Sequence, residues 1–471
     1  MRMVPWKICA IHSNNTVECF ENDDERIYSL LELKVETKEY VRKIIDLAVP
    51  ATIENILQTM VGFIDTLMIA ILGLVAVTAV GLANNILAVY LAIFIALGVG
   101  TSSLISRYLG ADKKNSAKGI AKQSTVLALM SGLSIGLITL LFGRQLLALM
   151  GADQGVLDEA YLYFAWVGAG SVFLSLITVF GSILRATGDT KTPMVVNTQV
   201  NLLNIALDYL LIFGVGPFPA LGVLGTAIGT VLARIVGCIL LWRNIEQSPA
   251  AFSLSEIWKG SSYKELINLS LPAAAERLVM RLGQVVYFGL IVSIGIKTYA
   301  AHSIAGNIGS FTYMPGYGLA TAAAVLVGNS FGAGKKKDSY YYEKISSLLG
   351  IGVMSVGGLF LFLGAPWFAT WFTGDTEAIA KIVTALRIDA FNQPALAVGL
   401  ILAGSLQGLG DTKSPLYSTA VGMWGVRVVG VYLLSIVWNM DIAGVWISIG
   451  IDLFIRAIFL SFKFYKRTVK A

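Results

Sequence analysis

Two closely similar hexapeptides, Gly188-Asp-Thr-Lys-Thr-Pro193 and Gly410-Asp-Thr-Lys-Ser-Pro415, stand at an offset of 222 residues in this chain of 471 residues. The same offset pairs further residues outward from them in both directions: Pro50 with Pro272, Glu54 with Glu276, Gly110 with Gly332, and Arg234 with Arg456. Chance does not maintain one register without gaps over such a length. The chain is therefore predicted to consist of two copies of one structural unit.

Each copy contains six apolar runs of about 20 residues, the length that crosses a bilayer as a helix. They lie near 48–71, 83–106, 120–142, 160–181, 193–213 and 220–242, then 269–293, 302–327, 346–366, 380–404, 415–437 and 443–464. The composition, 56% hydrophobic and 14% charged with a mean hydropathy of +0.73, excludes a soluble globular protein. Because each copy has an even number of spans, both copies have the same orientation in the membrane. The predicted fold is an all-α polytopic membrane protein, with two six-helix lobes related by a pseudo-two-fold axis along the membrane normal.

The polar stretches between the spans predict the domain boundaries and the orientation. The predicted parts are an N-terminal tail 1–45, an N-lobe 46–243, a linker 244–265, a C-lobe 266–465 and a C-terminal tail 466–471. Lys and Arg concentrate in the loops on the side of both termini, so the positive-inside rule places the termini in the cytoplasm of a plasma-membrane protein. The first residues are not expected to form a signal peptide, because they lack an apolar core and a small-residue cleavage site.

Several classes of function are not supported by the sequence. The net charge of +6 is explained by membrane orientation, so no nucleic-acid partner is expected. The three cysteines predict neither a disulfide framework nor a zinc site. With two histidines and no HExxH, Walker A or GxSxG motif, we expect no enzyme activity and no cofactor.

Ionisable residues at membrane depth are costly, so each is a functional candidate. Asp65 and Asp208 each follow a span-opening proline, Pro50 and Pro193, by the same number of residues. At 1.5 Å per residue, both carboxylates lie about 22 Å from the cytoplasmic end and share one depth.

Further polar residues are expected in the same layer as the two aspartates. Asn197, Asn201 and Asn204 share the helical face of Asp208, and Gln58, Tyr163 and Thr226 reach the same depth. At the positions of the second copy that are equivalent to Asp65 and Asp208, the chain has Tyr287 and Gly430. The two carboxylates therefore belong to the N-lobe alone. This favours a lobe-specific task such as cation binding over a structural hydrogen-bonded network, which remains the alternative.

The arrangement resembles the MATE family of multidrug and toxic compound extruders over residues 46–465. The resemblance rests on the paired GDTK loops and on the glycine-bearing basic loops at Gly110 and Gly332, after the second span of each half. It implies that the N-lobe pocket known from the DinF-like branch is formed here by Pro50, Gln58, Asp65, Tyr163, Asn204, Asp208 and Thr226. In that resemblance Asp65 is the residue that couples transport to the cation, and Pro50 is the point at which the first span bends. Where NorM-like and eukaryotic branches carry a glutamate in the seventh span, this chain has Met280. That departure favours an N-lobe cation site.

The expected function is export of organic, cationic amphipathic compounds by an antiporter coupled to H⁺ or Na⁺. Cation coupling, including any Na⁺ site, is assigned to Asp65, Asp208, Asn204 and Thr226, and substrate binding to Gln58, Tyr163, Asn201, Asn204 and Asp208. Protonation of the aspartate pair is expected to bend the first span at Pro50, since a proline leaves a helix short of one backbone hydrogen bond. The molecule is expected to be a monomer. The alternative is a flippase for lipid-linked oligosaccharides or lipids of the same superfamily.

The other charged residues receive simpler assignments. Asp189 and Asp411 are expected to form cytoplasmic turns, and Glu54 and Glu276 to be structural or gating residues. Arg234 and Arg456 are expected to snorkel to the cytoplasmic face, with Asp452 in reach of Arg456 four residues later. His302 is expected to be a packed residue. No role is assigned to the N-terminal tail or to the C-lobe charges Arg281, Arg387, Asp389 and Arg427.

Overall fold

The computed structural model describes residues 8–11, 17–20, 23–214, 216, 219–253 and 263–469, and nearly all of them are helical. Two short strands precede the helices, β1 (Ile8–Ile11) and β2 (Val17–Phe20), which pair antiparallel with Ile8 opposite Phe20. The first helix begins at Asp23, so the polar segment before the first span is part of one long helix. The predicted tail is thus helical from that residue onward.

Thirteen helices follow one another along the described part of the chain. They are α1 (Asp23–Ala70), α2 (Leu74–Gly110), α3 (Lys114–Leu149), α4 (Gln154–Ala169), α5 (Ser171–Ala186), α6 (Lys191–Phe213), α7 (Val223–Ile245), α8 (Lys264–Ile294), α9 (Ile296–Gly332), α10 (Lys336–Thr370), α11 (Thr376–Gly408), α12 (Lys413–Val437) and α13 (Asp441–Thr468). The second half of α12 has the wider π-helical hydrogen bonding, over Val421–Val428 and Val431–Val437.

These helices provide the twelve predicted spans. Among the described residues, nine are long and apolar enough to cross a bilayer, and α4 and α5 together form a tenth span bent by 45°. The bend lies at Gly170, the residue between the two helices. The remaining two, α9 and α11, are long but less apolar, because they carry buried polar residues such as His302 and Asp389.

Each half of the chain has its own hydrophobic core. Phe94 and Phe164 are fully buried in the N-terminal half, and Ile382 and Trp446 lie in the core of the C-terminal half. Close helix packing in a bilayer depends on small residues, and both cores contain many alanines and glycines at helix contacts.

At one end of the bundle, the segment that precedes the proline of α1 and the segment that precedes the proline of α8 each pack into the core of the other half. Ile44 and Leu47 of α1 pack into a core formed by α9, α10, α11 and α13 of the C-terminal half. Leu266 of α8, the repeat counterpart of Ile44, is fully buried in the core of the N-terminal half. The exchange is therefore reciprocal, and it holds the two halves together at this end.

The helices α2 and α9 cross at the same end with their backbones in contact. A Cβ atom at Gly110 would collide with the carbonyl oxygen of Asn329, and one at Gly332 would collide with the carbonyl oxygen of Arg107. The two contacts are related by the repeat. Only glycine permits this approach, which explains the glycines of the two basic loops. We call the end that carries these loops the basic face.

Candidate cation and substrate site in the N-terminal half

Asp208 is the most deeply buried carboxylate of the predicted pocket. It is fully buried in α6, where its Oδ1 accepts a hydrogen bond of 3.1 Å from the Nδ2 of Asn204, one helical turn earlier. Helix α7 passes so closely that a Cβ at Gly229 would collide with this oxygen. The other oxygen, Oδ2, has no hydrogen-bond partner among the described residues.

Asp65 lies close enough to Asp208 for the two side chains to interact electrostatically. It is half-buried in α1, and its Oδ1 is buried without a partner in the described structure. Neither aspartate forms a salt bridge with a described Lys or Arg. The structure thus brings two carboxyl groups together with one free buried oxygen on each.

The other predicted residues occupy different positions around this pair. Tyr163 is buried within electrostatic range of both aspartates and donates a 3.3 Å hydrogen bond to Oδ1 of Asn84, which the sequence did not single out. Thr226 has a buried hydroxyl without a partner among the described residues. The Nδ2 of Asn204 also lies 3.4 Å from the Thr230 hydroxyl.

Two of the predicted substrate residues make no contacts that mark them as part of the site. Gln58 is exposed on α1, and Asn201 is half-buried on α6; neither forms a hydrogen bond within the described structure. Among those residues, no three His, Cys, Asp or Glu side chains converge as a metal site. Any ion bound here would combine the two carboxylates with neutral amide and hydroxyl oxygens, which suit a hard cation.

Arg234 belongs near this pocket, and the expectation that it snorkels is wrong. Its Nη1 is buried without a partner among the described residues, and its side chain is within electrostatic range of Tyr163. Arg234 as a whole is half-buried, whereas its repeat counterpart, Arg456, is buried, with Nε 2.6 Å from the Asp452 Oδ1, as the four-residue spacing predicted. The counterpart of Asp452 is Thr230, so α7 offers Arg234 no carboxylate at that position. Comparing these two pairs in the repeat would have revealed the unpaired cation from sequence.

The repeated glutamates hold equivalent hydrogen-bonded networks. Glu54 accepts hydrogen bonds from Arg185 at 3.1 Å and from the Nδ2 of Asn197 at 2.6 Å. Glu276 accepts from Gln407 and Thr419, the counterparts of those two residues, at 3.4 and 3.1 Å. Each glutamate therefore connects the first helix of its half to the fourth and fifth spans. The polar residues on one face of α6 therefore have different partners: Asn197 donates to Glu54, whereas Asn204 donates to Asp208.

The unassigned C-lobe charges have separate surroundings. Asp389 is buried and accepts a 2.9 Å hydrogen bond from Gln393, whereas Arg427 is buried with Nη2 2.7 Å from Asp452. Arg387 is exposed over the ring of Phe362, and Arg281 is exposed beside Gln284. His302 is packed among the rings of Tyr287, Phe288 and Trp446, in agreement with its predicted role.

The two GDTK loops are tight turns that start the following helices. Gly188 and Gly410 have φ angles of +91° and +82°, a conformation that glycine adopts without strain. Asp189 and Asp411 each accept a 2.9 Å hydrogen bond from the backbone N–H three residues later, in the first turn of α6 or α12. Both aspartates thus act as helix-capping residues.

Comparison with known proteins agrees with the repeated architecture. The MatE family model matches twice, over residues 50–210 and 272–433, once in each half. The chain belongs to the MatE family. A probable multidrug resistance protein NorM of Thermotoga maritima is 30% identical over 444 residues, which cover 93% of this chain and 96% of that protein.

Solved MATE structures have the same fold. An outward-facing multidrug resistance MATE family transporter of the MOP superfamily has a TM-score of 0.85 and 25% identity, covering 91% of this chain and 96% of that one. A MOP superfamily transporter from Pyrococcus furiosus, described as having a binding pocket of reverse polarity, has a TM-score of 0.84 and 25% identity over 90% and 95% of the two chains. Membership of the MatE family identifies the chain as a multi-pass membrane transporter and not an enzyme.

Proposed function

We propose that this protein is an antiporter that couples entry of H⁺ or Na⁺ to export of organic cations. The name of its Thermotoga relative, a probable multidrug resistance protein, supports drugs or toxic compounds as the exported class. An acidic pocket with a buried tyrosine suits such compounds, because charge attraction and cation–π contact both favour them.

The pair of carboxyl groups in the N-terminal half carries this proposal. Asp65 and Asp208 each present a buried oxygen without a partner among the described residues, and the repeat places Tyr287 and Gly430 at the equivalent positions. Two unpaired carboxylates in a poorly solvated pocket repel each other and are costly. Binding a proton, a sodium ion or a cationic substrate relieves that cost, so these ligands compete for one site.

Helix α1 connects this site to the rest of the molecule. Its residues before Pro50 pack against the C-terminal half through Ile44 and Leu47, whereas Asp65 belongs to the N-terminal pocket. A proline inside the helix removes one backbone hydrogen bond and allows bending at this point. Cation binding at Asp65 would then move the part of α1 after Pro50, which lines the pocket, relative to the part before Pro50, which is packed against the C-terminal half. This movement would expel the substrate.

The proposal includes the setting of the molecule. The basic face is cytoplasmic, with both termini on that side of the plasma membrane, and the functional unit is a monomer. The preference of Lys and Arg for the cytoplasmic side supports this orientation.

The experiment is efflux of a fluorescent organic cation from proteoliposomes under an imposed pH gradient and then under a Na⁺ gradient. Asp65→Asn is expected to abolish efflux that either gradient drives in the wild type. Asp389→Asn is the matched control, because Asp389 is a buried aspartate with one amide partner in the other half. Equal loss in both variants would contradict a lobe-specific site. Movement of lipid-linked oligosaccharide with no cation efflux would make the protein a flippase.

A further inference from the structure

A cavity of about 520 Å³ opens on the basic face of the C-terminal half, away from the aspartate pair. The start of α8, the GDTKSP turn, the first residue of α12 and the last turn of α13 enclose it. Its polar lining includes Asn268, Asp411, Lys413 and Arg467. Neither the proposed transport site nor the coupling mechanism uses these residues.

Positive charge predominates in and around this cavity. Lys413 is exposed, and Arg467 lies with its Nε 3.5 Å from the Oδ2 of Asp411. The guanidinium of Arg107, from α2 of the other half, lies against the turn, where a Cβ at Gly410 would stand 2.5 Å from its Nη1. Asp411 is the acidic residue of the lining, and it already accepts hydrogen bonds from the backbone N–H and hydroxyl of Ser414.

The repeat shows that this charge is not needed to form the turn. At the equivalent turn in the N-terminal half, Ile245 replaces Arg467 and Asp46 replaces Asn268. The counterpart of Arg107 is Asn329, and no atom outside the turn approaches within 4 Å of a Cβ built at Gly188. Both turns nevertheless have the capping hydrogen bond from the backbone N–H three residues after the aspartate. The turn of the C-terminal half therefore lies beside two arginines, Arg467 and Arg107, that have no counterpart at the turn of the N-terminal half, and it lacks the carboxylate of Asp46.

An apolar side chain at the rim indicates what kind of anion fits. Leu271 lines the cavity and is 67% exposed, at a point where α8 has entered its predicted membrane span. A basic cavity bordered by an exposed leucine at the membrane surface matches an anionic headgroup whose acyl chains remain in the bilayer.

We propose that this cavity binds the phosphate of an anionic phospholipid headgroup. Arg467 and Lys413 contact the phosphate from the C-terminal half, and Arg107 contacts it from the N-terminal half. A bound headgroup therefore bridges the two halves at the face where α2 and α9 cross.

The test uses the purified full chain in a neutral detergent. Dioctanoyl phosphatidylglycerol and dioctanoyl phosphatidylcholine are titrated separately, and the bound fraction is measured by native mass spectrometry. Each basic side chain near a membrane surface contributes about 1 kcal/mol to anionic lipid binding, so removing one is expected to weaken phosphatidylglycerol binding about fivefold. The variants are Arg467→Ile, which installs the N-terminal counterpart, and Lys413→Gln.

Two matched controls separate this cavity from general surface charge. Lys191→Gln removes the repeat counterpart of Lys413, and Lys466→Ala removes an exposed charge next to Arg467. Both are expected to leave phosphatidylglycerol binding unchanged. Equal weakening in the controls, or equal binding of the two lipids, would overturn the proposal. Displacement of the lipid by inorganic phosphate at equal concentration would show a soluble phosphate site instead.

Discussion

Asp208 and Asp452 are both fully buried carboxyl groups, but their partners differ completely. Asp452 lies between Arg427 and Arg456, with N–O distances of 2.7 and 2.6 Å, whereas Asp208 receives one amide hydrogen bond from Asn204. A buried charge is tolerated when it is paired and is costly when it is not. The first aspartate is therefore available for a ligand, and the second is committed to structure.

This difference predicts opposite effects on stability. Asp452→Asn should destabilise the fold by about 3–5 kcal/mol, because it leaves two buried arginines without their carboxylate. Asp208→Asn should leave the stability of the fold unchanged or raise it in Na⁺-free buffer at alkaline pH. The substitution removes a buried charge and keeps a side chain of nearly the same shape. Thermal unfolding in detergent measures both. Equal destabilisation by the two variants would assign Asp208 a structural role.

Arg234 allows a similar comparison between repeat positions. Arg456→Met removes a cation that is hydrogen-bonded to Asp452, whereas Arg234→Met removes one whose buried Nη1 has no described partner. We expect unfolding to become easier by about 1–3 kcal/mol for Arg456→Met and to change little, or become harder, for Arg234→Met. Strong destabilisation by Arg234→Met would reveal a structural partner, such as an ordered water.

Helix α1 illustrates how far the sequence alone can be interpreted at the scale of an element. Hydropathy and the count of residues from Pro50 located the span and placed Asp65 at the depth of Asp208. The exchange of Ile44 and Leu47 into the other half was not predictable, because the repeat offset shows which residues are equivalent and not which core each one enters. Likewise, helical periodicity grouped Asn197 with Asn204, although tertiary contacts give them different partners.

The prolines of α1 and α8 lie just beyond the exchanged segments. Pro50→Ala restores a backbone donor and should keep α1 straight, so we expect substrate binding to persist while the transport rate falls at least about tenfold. The repeat counterpart Pro272→Ala is the control and should slow transport much less. Binding by fluorescence and efflux from proteoliposomes separate the two steps. Equal effects of the two variants would remove the special role of α1.

At the face opposite the basic one, an ion cluster connects α9 to α11. Lys297 lies 2.9 Å from Asp375 and 2.8 Å from Glu377, and its ammonium group lowers the pKa of both carboxyl groups. A carboxyl group with a lowered pKa stabilises the fold above its unfolded-state pKa and loses that contribution as the pH falls.

Acidification should therefore weaken this connection. We expect the melting temperature to fall between pH 5 and about pH 3 by more in the wild type than in Lys297→Gln, where the carboxylates have lost their partner. Because these side chains are exposed, the difference should be small and should shrink in high salt. A pH profile that is identical in the two proteins would contradict this interpretation.

At the scale of the whole molecule, the two halves meet where α2 crosses α9, and this close contact requires glycine at positions 110 and 332. Gly110→Val and Gly332→Val should each hold the halves apart at the basic face and impair transport, because the added atoms meet backbone carbonyl groups. Gly119→Val is the control, since a Cβ there meets nothing within 4 Å. Spin labels at the exposed positions Lys113 and Lys335, in a background without native cysteines, report the separation. An unchanged distance would show that the helices adjust elsewhere.

The reciprocal exchange of the segments before Pro50 and Pro272 also has a consequence for biogenesis. While the ribosome is still synthesising the second half, the core of the N-terminal half lacks Leu266, and the turn with Ile44 has no core to enter. The first half therefore stays incomplete in the bilayer until α8 arrives. Two separately expressed halves should mature only when they are made together, and a ribosome that stalls between them leaves an unfinished protein for membrane proteases to remove.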